Sequence, residues 1–359
     1  MSAQTQPSQP VLTWYSPKEP PLRLAGFAWF GTDRIYRRLP VQTPAPLPAS
    51  VDGLANSTAG GQIQFQTDAS MLAVRVKLRG KAGMDHMPST GQCGVDCYLG
   101  EPGAMRYRST TRMDLSKDGY EHTLCNDPGS GLRQVTLNMP LYQGVEEIEV
   151  GVNSGAQVLP PADYAMPGRV VVYGTSITQG GCAARPGMAY TNILSRKLNV
   201  EFINLGFSGS GKGEPEVANV IAQIRDPILY LLDYEANAGL DGIKATLARL
   251  IEILRTSHPA TPIVVISRVL PSVDRFQESA RETRRQAVEF QKGVVDARRK
   301  AGDRHISFVN GGHLMGEDFE ECTVDGAHPT DLGFYRMAEA LEPVVRRNLF
   351  GRKVRRSSQ

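Results

Sequence analysis

The hydrophobic period of the chain changes once, near residue 160, and that change limits the folds open to it. Before it, apolar residues alternate. Leu72, Val74, Val76 and Leu78 share one face of "MLAVRVKL"; Ile148, Val150 and Val152 do so in "VEEIEVGV"; Ile63 and Phe65 alternate with glutamines in "GQIQFQT". A period of two marks strands with one buried face, and turn residues such as "KDG" and "NDPGSG" separate the runs. An antiparallel β-sandwich is expected over residues 1–160. Afterwards come continuous apolar runs: "RVVVYG", "EFINLG", "ILYLLD", "PIVVISRV" and "HISFVN". Amphipathic stretches lie near Met188–Leu198, Pro215–Ile224, Leu240–Ser257, Ser279–Lys300 and Asp331–Asn348. Strands apolar on both faces, alternating with helices, predict an α/β region with a parallel sheet between helices over 169–359. The proline-rich segment at 161–168 reads as a linker.

Charge and cysteine usage exclude several classes. Forty basic residues against 37 acidic leave a net charge of +3, which gives no electrostatic case for nucleic acid or an anionic membrane. The one basic cluster, "GRKVRRSSQ", reads as a solvated terminus. The opening "MSAQTQPSQPVLTWY" lacks the features of a signal peptide, and no apolar run is long enough for a bilayer, so a cytoplasmic location is expected. Five scattered cysteines fit free thiols in a reducing compartment. Cys93 and Cys97 have no second pair, and His122, His258, His305 and His313 show no ligand spacing, so no metal is expected.

In a parallel sheet, ligands sit beyond the carboxyl ends of the strands. After the first run comes "YGTSITQGG", where Ser176 is placed either as a nucleophile or as a helix cap. After the second comes "NLGFSGSGKGEPE", close to a phosphate-cradling P-loop. Gly213 follows Lys212 where a magnesium-ligating hydroxyl would be needed, so the nucleotide reading fails and Lys212 becomes a solvated loop lysine. After the third comes "DYEAN", ending at Asn237. Near the end, "DGAHPTDLGF" sets Asp325 three residues before His328. That spacing suits either a carboxylate orienting an imidazole or a surface turn, and Asp331 could cap the helix that follows.

The order of these four blocks resembles the SGNH (GDSL-like) hydrolase superfamily, from Gly168 onward. "GVDCY", from Gly94 to Tyr98, resembles the GxDLY signature of the sandwich domain that precedes some bacterial SGNH esterases, with Cys97 at the leucine position. The resemblance implies a jelly-roll-like sandwich and a flavodoxin-like catalytic region. It implies Ser176 as nucleophile, His328 as general base and acid, and Asp325 as the group orienting it. The oxyanion hole would come from the backbone N–H groups of Ser176 and Gly209 and the side chain of Asn237, with Gly209 matching the family's glycine better than Gly206. Two positions depart from the general pattern: Thr175 stands for the family's aspartate, and Glu235 and Ala238 flank Asn237 in place of glycine and aspartate.

The resulting expectation is a cofactor-free serine esterase acting on a small O-acyl group, most plausibly acetyl on a carbohydrate. Rival readings are a carbohydrate-binding or scaffold protein with a vestigial site, and a thioesterase or acyltransferase using the same triad. Arg185 and Glu235 are candidate substrate contacts, each with a structural alternative, as for Asp233. Trp29 and Tyr36 are expected in the sandwich core, and "MDHMP", with Asp85, His86 and Met87, is a polar loop that could reach the cleft.

Overall fold

The computed structural model describes residues 11–127 and 131–351. The first ten residues, the basic tail after Gly351 and part of the "NDPGSG" turn lie outside the described residues.

Two antiparallel sheets build the first region. One orders the strands Leu12–Tyr15, Val145–Asn153, Met71–Leu78 and Gly119–Asn126. The other orders Val158–Leu159, Gln62–Thr67, Arg133–Asn138, Asp96–Leu99 and Arg106–Thr110, with Arg23–Ala25 also paired to Gln62–Thr67. Leu72, Val74, Val76, Ile148, Val150 and Val152 meet Ile63, Phe65, Val135, Leu137 and Cys97 in one core, so the sheets pack face to face. The first sheet follows the simple alternation, with Arg75 and Lys77 exposed. The second does not. Its polar face is buried too: Gln62 is 4% exposed and Asn138 0%. Gln62, Gln64, Gln134 and Thr136 share a cavity with Ser195, Arg196 and Asn199 of the α/β region, so that region covers the glutamine face. Buried amides need partners, and Gln62 Nε2 donates to Asn138 Oδ1 at 2.9 Å while Asn138 Nδ2 donates to Asp96 Oδ1 at 2.7 Å.

The α/β region holds five parallel strands in the spatial order Glu201–Gly206, Arg169–Gly174, Pro227–Asp233, Ile263–Ile266 and Ile306–Val309. In chain order this is 2-1-3-4-5, the flavodoxin-like arrangement. Each strand feeds two cores. Val170, Val172, Leu229 and Leu231 pack with the helices Tyr190–Leu198 and Asp331–Phe350. Val171, Tyr173, Ile203, Leu205 and Tyr230 pack with Pro215–Ile221, Glu235–Ser257 and Glu278–Lys300. This double burial explains the continuous apolar runs.

Residues 28–58 depart from the sandwich expectation. Tyr36 does lie in the sandwich core, but Trp29, Leu39, Val51 and Ala55 pack on the α/β core. Arg38, 0% exposed, anchors this segment: its guanidinium donates to the carbonyls of Asn204, Gly206, Leu54 and Ser57. No helix among the described residues is long and apolar enough to cross a membrane. All five cysteines are buried free thiols; Cys93, Cys97 and Cys125 belong to the sandwich core rather than to a ligand pair.

Candidate active site

Strand order 2-1-3 puts the ends of the first three parallel strands side by side, and the loops after them converge. The first strand ends at Gly174, where a Cβ would lie 2.0 Å from Thr178 Oγ1 and 2.6 Å from the Asp233 carbonyl oxygen. Only glycine lets the chain turn that tightly against the third strand. Thr175, not Ser176, caps the following turn, its Oγ1 accepting the Ile177 N–H at 3.2 Å. Ser176 therefore opens the turn Ser176–Gln179 with its hydroxyl free of capping, and the N–H groups of Gly180 and Gly181 fix its carbonyl.

Ser176 Oγ lies 2.9 Å from His328 Nε2, and His328 Nδ1 lies 2.7 Å from Asp325 Oδ2. The loop bearing the last two is closed at its base by a bridge between Thr323 and Pro329. Asp325 Oδ1 also accepts the N–H of Ala327 at 3.0 Å and of His328 at 2.7 Å. Burial works to raise the Asp325 carboxyl, but the His328 backbone and ring and the Ala327 N–H together hold it down at about 2. It is thus ionised, and it fixes the tautomer that leaves the Nε2 lone pair toward Ser176. Thr330 precedes the last helix as its cap; Asp331 instead accepts the Ala184 N–H at 2.8 Å, tying that helix to the loop after Ser176.

The glycine loop resolves into different tasks. A Cβ on Gly206 would sit 2.2 Å from the Gln179 nitrogen, and one on Gly211 2.3 Å from the Gly174 carbonyl oxygen, so both allow close packing. Gly209 is different: its φ is +67° and its Cβ position is open. Among the described residues, the N–H groups of Ser176 and Gly209 have no protein acceptor, whereas Ser208 donates to Gln179 Oε1 at 3.0 Å and Ser210 to the Phe207 carbonyl at 3.0 Å. Asn237 joins the same loop, its Nδ2 donating to the Phe207 carbonyl at 3.0 Å. A primary amide has two N–H donors, so one remains for a ligand. Gly239, with φ 64° and ψ −178°, breaks the helix just beyond and separates the Asn237 turn from its main body.

Two expected substrate contacts are corrected. Glu235 is 2% exposed, and its carboxylate accepts from the Arg268 N–H at 2.9 Å and from Gln291 Nε2 at 2.7 Å. Arg185 is bound to the sandwich: Nη1 donates to Asp96 Oδ2 at 3.1 Å and to the Tyr98 hydroxyl, and the guanidinium lies 3.8 Å over Tyr107. Asp96 also accepts the Gly187 N–H at 2.7 Å. The aspartate and tyrosine of "GVDCY" thus clamp the loop that follows Ser176. Asp233 is structural as well, accepting from Tyr190 Oη at 3.0 Å and Thr178 Oγ1 at 3.2 Å.

Two other residues at the site, Gln179 and Tyr142, carry no local signal. Gln179 links Ser208 to the Leu141 carbonyl of the sandwich. The Tyr142 hydroxyl approaches the Ser176 carbonyl at 3.5 Å. The "MDHMP" loop does reach the cleft: the His86 ring lies 5.7 Å from that of His328, centroid to centroid.

The sequence profile of the GDSL-like lipase/acylhydrolase family matches residues 168–346, and that of the N-terminus of SGNH-hydrolase-type esterases, GxDLY, matches residues 12–158. A GDSL-like lipase from Bacteroides ovatus is 31% identical, with a TM-score of 0.86 over 95% of this chain and 98% of its own. The chain belongs to the GDSL-like lipase/acylhydrolase family. No curated protein matches it. Two further solved structures share the fold of this GDSL-like esterase. The salicylyl-acyltransferase SsfX3 of a tetracycline biosynthetic pathway is 22% identical, TM-score 0.73, covering 95% of this chain and 99% of its own. A family two carbohydrate esterase from Cellvibrio japonicus is 14% identical, TM-score 0.60, covering 96% and 100%.

Proposed function

We propose that this GDSL-like hydrolase is a serine esterase that removes a small acyl group, acetyl above all, from a carbohydrate. The observation that carries the reading is the hydrogen-bonded series Ser176–His328–Asp325, with steps of 2.9 Å and 2.7 Å. Ser176 Oγ attacks the ester carbonyl while His328 Nε2 takes its proton. The tetrahedral oxyanion is met by the N–H groups of Ser176 and Gly209 and by the second Asn237 N–H. As the intermediate collapses, His328 returns the proton to the departing sugar oxygen. Water then gives its proton to His328 and attacks the acyl-enzyme, and Ser176 recovers its hydrogen as the carboxylic acid leaves. Asp325 stays ionised and balances the imidazolium in each half-reaction. The division into a sandwich at 1–160, a linker at 161–168 and a catalytic region at 169–359 belongs to this reading.

The carbohydrate part rests on the shared fold of the Cellvibrio enzyme, and the small acyl group on the lack of an apolar lid-like stretch in the sequence. The likeness to SsfX3 supports a second reading, in which an acceptor hydroxyl rather than water takes the acyl group from Ser176. Initial rates on aryl acetate, butyrate and octanoate, for the parent and Ser176→Ala, test both. The esterase reading expects acetate to be fastest and Ser176→Ala to lose about 10⁴-fold or more in kcat. Full activity in Ser176→Ala, or a parent inert on all three esters, overturns it. Acyl transfer to added alcohols that outruns hydrolysis would favour the second reading.

A further inference from the structure

We propose that His86, Asp325 and His328 form a binding site for a divalent transition-metal ion of the zinc class, and that filling it switches the esterase off. The inhibitory half of this inference rests on the serine-esterase reading above; the binding half does not. One ligand atom from each of the three residues lies within 4.8 Å of those of the other two. Ligand atoms around tetrahedral zinc lie about 3.3 Å apart, so the site closes with a shift on the order of 1.5 Å. The side chain that must move farthest is His86, on a loop, 34% exposed, with Asp85 as its one hydrogen-bond partner among the described residues.

The chemistry of the donors points the same way. Asp85 Oδ1 lies 3.1 Å from His86 Nδ1. A carboxylate there holds the proton on Nδ1 and leaves the Nε2 lone pair outward, the carboxylate–histidine arrangement that supports metal-ligating imidazoles. Asp325 Oδ2 and His328 Nδ1 already face each other at 2.7 Å, where a metal would replace the proton between them. Two imidazoles and a carboxylate select zinc, copper or nickel over magnesium or calcium, which need oxygen donors. A metal held by Asp325 and His328 Nδ1 breaks the bond between them and leaves the ring proton on Nε2, where the Ser176 proton should go. The site spans both regions of the chain, since His86 comes from the sandwich. Residues 86 and 328 are too far apart for any spacing rule to pair them.

Calorimetric titration of zinc chloride into Ser176→Ala, and into the double variant Ser176→Ala with His86→Ala, tests the site without turnover. Ser176→Ala keeps all three ligands. One zinc site is expected in it, weakened about tenfold or more in the double variant. In parallel, aryl-acetate hydrolysis by the parent and by His86→Ala is titrated with zinc, each rate taken relative to the same protein in chelator. Zinc is expected to stop the parent, with the midpoint moved upward about tenfold or more in His86→Ala. Absence of zinc binding, equal binding with and without His86, or equal inhibition of both enzymes overturns the proposal. If the parent hydrolyses no ester, the esterase reading fails while calorimetry still decides the metal site.

Discussion

The α/β region and the sandwich serve the same cleft in opposite ways. In the proposed mechanism the α/β region supplies the catalytic groups, each within a few residues of a strand end or ahead of the last helix: Ser176, Gly209, Asn237, Asp325 and His328. The sandwich supplies braces, Asp96 and Tyr98 on Arg185 and Leu141 on Gln179. One set sits where topology alone puts chemistry; the other works through pairs that meet only in the fold. The comparison teaches that the sandwich is built into the site rather than attached to it, and it makes different predictions for the two sets.

Asp96→Ala should give the largest stability loss. It removes the acceptor of the Gly187 N–H and leaves Arg185, 18% exposed in its side chain, without its carboxylate. Breaking a buried pair from one side costs about 3–5 kcal/mol, measurable by urea unfolding. If the sandwich only braces, kcat of the folded variant changes far less than its stability. A fall in kcat of about 100-fold or more would dissolve the distinction, because the clamp would then be holding the nucleophile in register.

Asn237→Ala probes the other set. Loss of one oxyanion donor costs about 2.7–4 kcal/mol of transition-state stabilisation, a drop in kcat of about 100- to 1000-fold with KM little altered. Steady-state kinetics on aryl acetate would show it. A drop below about tenfold would leave Asn237 as a support for the Phe207 carbonyl alone, and the oxyanion hole would reduce to two backbone donors.

The sequence carries the α/β part of this picture well, and for a physical reason. Apolar runs and turn glycines are local, and a doubly covered parallel sheet places its ligands at strand ends whatever the side chains are. That is why Ser176, Asp325 and His328 stand out in the sequence, and the fold brings them within hydrogen-bond reach. Glu235 misleads by the same rule: a carboxylate just past a strand looks aimed at the cleft, but Gln291, 56 residues away, draws it inward. Arg185 misleads because its partners lie 89 and 87 residues earlier. The glutamines of "GQIQFQT" alternate like solvent-facing residues, and only the covering α/β region buries them. Arg38 gives no sequence signal at all, since burying a guanidinium depends on carbonyls at strand ends that no spacing rule reveals.

The smallest effect separates two carboxylates of the α/β region by pH. Burial, partly offset by hydrogen bonds from Tyr190 and Thr178, lifts the Asp233 carboxyl from 3.8 to about 7. Between those values the fold binds a proton that the unfolded chain has released, so this stabilising contribution is full below about pH 4 and is lost as pH rises through about 7. Asp325 has the opposite sign. Held at about 2 against an ordinary 3.8, it contributes stability above about pH 4 that disappears as pH falls toward 2. Asp233→Asn keeps an oxygen to accept from Tyr190 and Thr178 but cannot titrate. It should flatten the decline in stability between about pH 4 and 7, a slope of at most about 1.4 kcal/mol per pH unit, while the acid limb set by Asp325 stays. Urea unfolding across that range decides it. An unchanged slope in Asp233→Asn would mean that Asp233 is ionised in the fold at neutral pH. A carboxylate beside Thr178, two residues past the nucleophile, would then be part of the site's electrostatics rather than of its scaffold.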